Sequence, residues 1–359
     1  MRNIFLLNNY TVHLPIFLDA TCSGIQHLAG MLKDYETGSK VNMISQTESD
    51  SVGDIYSYLI DPINKAVNKY GLKNIENEDR VFKDIKLKRN DVKEPIMTKN
   101  YNVSVVGIAN QLRSKFEIIN KKEKNVKNQM YKVPTTFGYI SLTSSQMFTL
   151  AVLLDKQIFT SLPTLKYIYN YFKEIIKLTL LLNFPTVWFT PAGLKITQFY
   201  KISIQNKVSI RFGKKSQKIV LRNSTDKIDK RKQVLAIIPN IVHSLDSAHL
   251  INIINTATNL NLNQILTIHD CFGTHPNDIE ILTELVKKEF IILYTKSNFL
   301  EKYHQRLIQA LTDNNYTILK DKDNKEYVLI KNNKKYIPQL PKYGTLDINN
   351  IINSKYIIN

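Results

Sequence analysis

Two apolar segments that lie far apart in the sequence each run into an aspartate, and this pattern constrains the fold more than any other feature. Pro15 to Asp19 is predicted to be a fully buried central strand, and Ile265 to Asp270 a second short apolar strand. A carboxylate at the end of a buried strand is costly unless a partner offsets its desolvation. Mg²⁺ can do so, because it takes oxygen ligands while keeping waters and substrate phosphates. A fold that brought both aspartates together would hold two such ions about 3.5–4 Å apart.

Each aspartate also has a simpler interpretation, in which it caps the helix or turn that follows. That interpretation is the better one for a single aspartate after a strand. It is weaker for two aspartates in distinctive surroundings, DATCSGIQHL around Asp19 and HDCFGTHP around Asp270. The sequence therefore favours a site for phosphoryl transfer, and Ser23 is predicted to cap the helix that follows the first strand.

Charge and cysteine content narrow the choice of partners. With 49 basic against 31 acidic side chains the net charge is +18, and such a surplus favours a polyanionic partner through counterion release. Nucleic acid is the first candidate, an anionic membrane surface the second, and a basic surface without a ligand the third. No apolar run reaches the ~20 residues of a membrane helix, so no membrane partner is predicted. Only two cysteines occur, which argues against a disulfide scaffold and for a reducing compartment.

Helical and strand patterns are mixed along the chain. Polar and apolar residues alternate from Val187 to Leu221, which predicts a hairpin exposed on one face, and a basic stretch continues to Lys232. Long helices among short strands indicate an α+β or α/β fold. Apolar periodicity predicts helices at Ser51 to Tyr70, Val92 to Leu112, Thr164 to Leu182, His243 to Leu260 and Asp278 to Tyr294.

A third segment, RNDVKEPIMTKNYN, is built like a nucleotide-binding helix. Its side chains at intervals of four, which would share one side of a helix, are Arg89, Lys93, Met97 and Tyr101. The step from Lys93 to Tyr101 covers ~12 Å of helix axis, about the distance from the triphosphate of a nucleotide to its base. Arg89 and Lys93 could hold phosphates while Tyr101 lies against base and sugar. The alternative is a solvated basic face with a core tyrosine, and Pro95 would sit in the first turn or kink the helix.

These three segments resemble the motifs of the single-subunit phage-type RNA polymerases. DATCSGIQHL is similar to motif A, Asp-x-Ser/Thr-Cys-Ser-Gly-x-Gln-His, and HDCFGTHP to motif C, His-Asp-Ser/Cys-Phe-Gly-Thr. RNDVKEPIMTKNYN is similar to motif B, Arg-x-x-x-Lys-x-x-x-Met-Thr-x-x-Tyr-Gly. Related DNA polymerases carry Tyr-Ser-Gln-Ile-Glu after the first aspartate and a glutamate after His-Asp, and neither occurs here, which favours RNA synthesis. Asn102 stands where many members have glycine; because asparagine tolerates left-handed backbone, we expect a small local effect.

The resemblance implies a right-hand polymerase, an α+β fold with a small antiparallel palm sheet and mostly helical fingers. Asp19 and Asp270 would hold two Mg²⁺ ions. Lys93 would bind the triphosphate, with Arg89 beside it, and could give a proton to the pyrophosphate. Tyr101 would help to select ribonucleotides and to position the template.

Two further segments match parts of the family that lie near the incoming ribose. One is DIYS around Tyr56, and the other is PNIVHSLDSAHL, which contains His243, Asp246 and His249. Burial as core is the alternative for Tyr56, and a satisfied structural histidine is the alternative for His243. Cys22 and Cys271 each neighbour one of the aspartates, and inert buried thiols are favoured over a redox switch.

The resemblance extends over nearly the whole chain and suggests four parts. We expect a palm part with motif A in 1–70, fingers with motif B in 71–185, a hairpin like the family's promoter-specificity loop in 186–242, and a palm part with motif C in 243–359. The last part ends in LPKYGTLDINNIINSKYIIN, which resembles the family's C-terminus near the active site. The implied partners are a DNA template, nascent RNA and ribonucleoside triphosphates, handled by a monomer.

The family normally has a long region before motif A that contains the promoter-gripping domain and the thumb. Here eighteen residues precede Asp19. A fragment, a split gene or a degenerate reading frame of a mobile element would each explain this, and the resemblance favours an organellar, mitochondrial plasmid or genome. We therefore expect little or no elongation by this chain alone. The alternative to an enzyme is a catalytically inactive, DNA-binding remnant of such a polymerase.

Overall fold

The computed structural model describes residues 13–45, 52–120, 125–213, 215–262 and 264–359, and its fold is mixed α+β, as predicted. The helices are α1 (Ser23–Leu32), α2 (Tyr35–Lys40), α3 (Ile55–Lys73), α4 (Arg89–Lys99), α5 (Val105–Lys115), α6 (Ser144–Ser161), α7 (Pro163–Leu181), α8 (Lys230–Asn259), α9 (Ile279–Lys296) and α10 (Phe299–Asp313). The strands are β1 (Ile16–Asp19), β2 (Glu117–Ile118), β3 (Met130–Thr135), β4 (Gly138–Thr143), β5 (Thr186–Phe189), β6 (Lys195–Gln198), β7 (Lys201–Phe212), β8 (Lys215–Ile228), β9 (Ile265–Ile268), β10 (Cys271–Thr274), β11 (Leu319–Lys320), β12 (Glu326–Ile330) and β13 (Asn333–Tyr336).

The chain divides into two compact units. The first comprises the described residues of 1–168, 242–299 and 341–359, and it contains all three motifs. The second comprises 169–241 and 300–340. The assignment of palm, fingers and specificity hairpin to parts of these units remains a prediction.

The motif-bearing strands form a small antiparallel sheet in the order β1-β10-β9. One face packs inward, where Phe272 and Thr274 are buried, and the other is open, since Phe17 is 42% exposed and Ile268 is 62% exposed. The prediction of a fully buried central strand is therefore wrong: β1 lies at the end of this sheet and exposes alternate residues. Apolar residues on both faces of β1 gave the impression of complete burial, because a sequence does not reveal whether the second face is covered.

Two helix starts differ from prediction because of capping. The helix predicted from Ser51 begins at Ile55, where the side chain of Asp54 accepts a hydrogen bond from the backbone N–H of Tyr56; Ser51 itself lies outside the described residues. Ser23 is the first residue of α1 and not its cap. The cap position belongs to Cys22, whose backbone is left-handed (φ 62°, ψ 63°) and whose side chain makes no capping bond.

The helix predicted from Val92 to Leu112 is two helices. α4 ends at Lys99 and α5 begins at Val105. Asn102 between them has a left-handed backbone with φ 59°, and the hydroxyl of Ser104 caps α5 by accepting a bond from the N–H of Gly107. Periodicity alone cannot detect such a break, because α4 and α5 both continue an apolar pattern. Pro95 lies in the interior of α4, beyond the first turn.

α8 begins well before the predicted His243 and contains Pro239. By length and composition this helix could cross a membrane, since its apolar window has a mean hydropathy of 1.4 and 44% of that window is buried. A core helix of a globular protein has the same character: His249 is buried on this helix, and the side chain of Asp246 is 19% exposed. The helices predicted at Thr164 to Leu182 and Asp278 to Tyr294 match α7 and α9 to within two residues.

The second unit holds an aromatic core and a long, open hairpin. Tyr303 packs on Phe172 and Trp188, with ring centroids 5.2 and 6.2 Å apart. The alternating segment forms two antiparallel pairs, β5 with β6 and β7 with β8. The register of β7 and β8 places Lys207, Arg211, Lys218 and Arg222 on one face, and Ile204, Val208, Ile219 and Leu221 on the other. The prediction of hairpin structure is thus confirmed, but the prediction that only one face would be exposed is wrong, since both faces of the β7–β8 hairpin are exposed.

Candidate active site

The strand register brings the two motif aspartates to the same end of the sheet. Asp19, the last residue of β1, pairs with Cys271, and Asp270 lies immediately before it in the tight turn between β9 and β10. Asp270 therefore occupies a turn and not the end of the predicted strand, because the backbone turns at His269 with φ 57°.

The protonation behaviour of Asp19 reflects this arrangement. Partial burial raises its pKa, and the negative charge of Asp270 raises it further. The backbone N–H of Ala20 and the ammonium of Lys93 act in the opposite direction. The site thus combines two mutually repelling carboxylates with one cation from α4, an arrangement that a bound cation would relieve.

The C-terminal residues pair with the motif A strand. Asn359 exchanges two backbone hydrogen bonds with Asp19, at 2.8 and 3.0 Å. The side-chain amide of Gln26 donates to the carbonyl of Ile357 at 2.9 Å. The tail therefore ends beside Asp19, and the backbone that carries Asp19 is held on both sides.

Arg89 and Lys93 of α4 both lie over the ring of Tyr56. The guanidinium carbon of Arg89 is 5.2 Å and the ammonium of Lys93 is 5.8 Å from the ring centroid. Arg89 also forms a 2.5 Å ion pair with Asp54. Burial would raise the pKa of Asp54, but hydrogen bonds from Arg89 and Ser57 hold it below its usual range. Arg89 is thus anchored to the start of α3, while Lys93 acts electrostatically on Asp19.

Tyr56 connects these cations to motif A. Its ring is buried, and its hydroxyl is hydrogen-bonded to the sulfur of Cys22. Burial first, and then Cys22, raise the pKa of Tyr56 well above its ordinary value, so the phenol stays protonated. The resemblance implied that Tyr56 lies near the incoming ribose. In the structure its ring contacts the side chains of Arg89 and Lys93.

Tyr101 lies beyond the end of α4, so the prediction that it shares a helix face with Arg89 and Lys93 is wrong. Its ring stacks on His243 of α8, with centroids 4.9 Å apart and planes 13° from parallel. Burial raises the pKa of Tyr101 to about 12, while a hydrogen bond to Ser23 acts against the shift. The break after Lys99 thus aims this ring at motif A and α8, where a continued helix would have carried it elsewhere.

Asn102 follows directly and explains how the chain makes this turn. It is buried and adopts φ 59°, a conformation that glycine takes freely and asparagine tolerates. Asparagine in place of the glycine of motif B is thus compatible with the left-handed turn that the chain makes here.

A polar cluster around the buried side chain of His27 lies close to Asp270. Nδ1 of His27 lies 2.6 Å from the hydroxyl of Tyr294, and its Nε2 lies 3.4 Å from Asp246. Burial would raise the pKa of Asp246, but His27 and neighbouring histidines hold it below its usual range. Burial lowers the pKa of His249 to about 4, and its Nε2 contacts the carbonyl of Val286 at 2.9 Å. A cavity of about 20 Å³ separates this cluster from Asp270, enough for one water.

Comparison with known proteins decides the family. The family model described as DNA-dependent RNA polymerase matches residues 5–359. The chain belongs to the single-subunit, phage-type DNA-dependent RNA polymerase family. It is 42% identical to a probable DNA-directed RNA polymerase of Gelasinospora over 100% of this chain and 43% of that protein. It is 34% identical to one of Neurospora crassa, over 84% and 34% of the respective lengths. It is 30% identical to the mitochondrial DNA-directed RNA polymerase of Schizosaccharomyces pombe, over 97% and 30%.

The chain therefore spans less than half the length of these curated polymerases. The matched part includes all three polymerase motifs. The family consists of nucleotidyltransferases that use metal ions.

The carboxylates of Asp19 and Asp270 fit a Mg²⁺ site that is completed by substrate and water, and not a site built entirely from protein ligands. In the described parts of the chain, no three His, Cys, Asp or Glu side chains cluster as metal ligands would. Mg²⁺ in phosphoryl-transfer enzymes needs only one or two carboxylates, since substrate phosphates and waters complete its octahedron. Asp19 and Asp270 supply two carboxylates. The negative charge of Asp270 raises the pKa of Asp19, and a bound Mg²⁺ would offset this repulsion.

Several polymerase residues at this site escaped sequence reasoning. Asp54 was missed as the partner of Arg89, and Ser23 as the partner of Tyr101. The segment PNIVHSLDSAHL drew attention to Asp246 and His249. Nothing in its spacing indicated that both side chains contact His27.

Proposed function

We propose that this chain carries the catalytic centre of a DNA-directed RNA polymerase, which joins ribonucleotides on a DNA template and releases pyrophosphate. The observation that carries the proposal is the convergence of Asp19, Asp270 and Lys93, since the charges of Asp270 and Lys93 both act on Asp19. Membership of the polymerase family supports the reaction class.

In this proposal Asp19 and Asp270 hold two Mg²⁺ ions. Bound there, the ions would supply activation of the attacking 3′-hydroxyl and neutralisation of the leaving pyrophosphate. Lys93 binds the triphosphate and can donate a proton to the pyrophosphate oxygen. Arg89, fixed by Asp54, adds positive charge at the same end of the nucleotide.

The stacked pair of Tyr101 and His243 is proposed to face the sugar and base of the incoming nucleotide. The two rings stack face to face, and the Tyr101 hydroxyl stays protonated because its pKa is raised to about 12. A protonated hydroxyl held by Ser23 is a rigid polar group beside the ribose. Tyr56 is proposed to keep Lys93 and Arg89 in place from below.

The β7–β8 hairpin is proposed to contact promoter DNA, as the resemblance of 186–242 implies. One of its faces carries Lys207, Arg211, Lys218 and Arg222, which suits phosphates. The net charge of +18 supports DNA binding by the whole chain. Mitochondrial location is also a proposal, supported by similarity to a mitochondrial enzyme of Schizosaccharomyces pombe.

Single-nucleotide addition on a primed DNA template tests the proposal. With Mg²⁺ and ribonucleoside triphosphates, the chain should extend the primer by one or a few residues, and EDTA should stop the reaction. DNA binding without any nucleotide addition would favour the inactive remnant.

Replacing Tyr101 with Phe should relax the choice between ribo- and deoxyribonucleotides. The substitution keeps the stack on His243 but removes the hydroxyl held by Ser23. Discrimination should fall by about tenfold or more, since a site that loses its polar contact to a substrate hydroxyl loses selectivity of that order. Competition between rNTP and dNTP in primer extension measures it. Tyr139→Phe, at an exposed tyrosine of β4, is the matched control and should leave the ratio unchanged.

A further inference from the structure

Asn100 occupies a position that the motif B pattern leaves open, yet it makes a specific contact with motif A. It follows the last residue of α4 and is only 2% exposed. Its side-chain amide donates a hydrogen bond to the sulfur of Cys22 at 3.1 Å. A Cβ atom on Gly24 would lie 3.0 Å from the Cβ of Asn100, so the two segments touch as closely as glycine allows.

The next residue along the chain makes a parallel contact. Tyr101 is hydrogen-bonded to Ser23, so two consecutive residues after α4 meet Cys22 and Ser23, where the loop after Asp19 joins α1. That loop is tight, since the N–H of Cys22 bonds the carbonyl of Ala20 at 2.9 Å and the backbone of Cys22 is left-handed. The backbone between Asp19 and Cys22 is therefore closely constrained, so a shift at Cys22 would be passed on to Asp19.

The buried amide of Asn100 also destabilises the fold. Within the described structure, the side-chain oxygen of Asn100 is buried and has no hydrogen-bond partner. A buried acceptor left unsatisfied destabilises a fold, and an apolar residue of the same size would remove the penalty. Features that break a local rule in this way cluster at functional sites.

We propose that Asn100 is a positioning residue, which ties the end of α4 to Cys22 and thereby sets where Tyr101 stands relative to Asp19. This inference rests on the proposed function in one respect, that Tyr101 faces the sugar of the incoming nucleotide. Asn100 itself need not touch the substrate. Its effect passes through the adjoining Tyr101 and through Cys22, which also accepts a hydrogen bond from Tyr56.

Asn100→Leu tests the tie, because leucine keeps the branched shape and the number of side-chain heavy atoms but removes the amide. The ratio of rNTP to dNTP incorporation should fall roughly three- to tenfold, as expected for one lost neutral hydrogen bond, mainly through a higher KM for the ribonucleotide. The melting temperature should change little, since removal of the unsatisfied acceptor offsets the cost of packing the larger leucine methyl groups. Cys22→Ala should have a similar effect on the ratio, and the double variant should be no worse than either single variant.

Asn110→Leu is the matched control. Asn110 lies on the neighbouring α5, where it bonds Arg113 on an exposed surface, so its loss should not change nucleotide selection. An unchanged ratio in Asn100→Leu would overturn the proposal. So would a fall in the ratio that is accompanied by a lower melting temperature and is reproduced by Asn110→Leu, because that pattern reports general loosening.

Thiol labelling separates this inference from the proposed function. If Asn100 ties α4 to Cys22, a disulfide reagent should modify Cys22 about three- to tenfold faster in Asn100→Leu than in the parent chain, because local opening becomes easier. Cys271→Ser in both chains leaves Cys22 as the one thiol. Should the parent chain add no nucleotide, the proposed function fails, while faster labelling would still support the tie and equal rates would overturn it.

Discussion

Asp270→Asn will abolish nucleotide addition while DNA binding stays intact. The amide is neutral and a poor ligand for Mg²⁺, and the carboxylate it replaces is the one whose charge acts on Asp19. Single-nucleotide addition should fall about a thousandfold or more, because both ions depend on the pair of carboxylates. The measurement is single-turnover primer extension at saturating nucleotide, with DNA affinity determined in parallel.

The controls for this prediction come from the same region. Asp278→Asn makes the same chemical change a few residues later, at a side chain that forms no capping bond, and should leave the rate unchanged. Asp19→Asn should be as damaging as Asp270→Asn, and the double variant no worse, because the two act as one unit. DNA affinity should stay within about twofold or improve, since one negative charge is removed from a basic chain. Retained addition, or DNA binding lost in step with it, would refute the two-carboxylate centre.

Gly71→Ala will strongly destabilise the first unit. Gly71 lies on the face of α3 that packs against the short 3₁₀ helix Glu78–Asp84. A Cβ there would lie 2.6 Å from the carbonyl carbon of Phe82 and closer still to the backbone nitrogen of Lys83. Backbone cannot rotate away as a side chain can, so the two elements must separate. We expect a loss of about 3 kcal/mol or more in the free energy of unfolding, the upper range for overpacking.

Urea unfolding followed by two probes tests this prediction. Trp188 is the single tryptophan and belongs to the second unit, so its fluorescence follows that unit, whereas far-ultraviolet circular dichroism follows the helices of both. Gly107→Ala is the control, because its added Cβ would meet side-chain atoms and no backbone, Cγ2 of Val103 at 2.6 Å and Oγ of Ser104 at 3.6 Å. It should cost much less than Gly71→Ala, because a side chain can shift where backbone cannot. Equal midpoints for both variants would show that α3 and the 3₁₀ helix are not held closely.

Sequence patterns were most reliable where the cause is local. The alternation of β7 and β8 and the periodicity of α7 and α9 depend on neighbours a few residues apart. α7 and α9 form within two residues of their predicted bounds, while β8 continues to Ile228, beyond the predicted Leu221. Motif spacing also singled out Asp19, Lys93 and Asp270, and the charges of Asp270 and Lys93 both act on the pKa of Asp19. The break after α4 was missed because left-handed Asn102 interrupts a pattern that continues on both sides.

The sequence by itself determined the family, the α+β class and the chemical types of the groups at the site, because these depend on residue identity and short-range order. Only the tertiary structure decided which groups meet: Arg89 with Asp54, Asn100 with Cys22, Tyr101 with His243, and Asn359 with Asp19. Each of these pairs joins segments distant in the chain. Such contacts depend on how helices and strands pack and where they end, and no local pattern encodes that geometry.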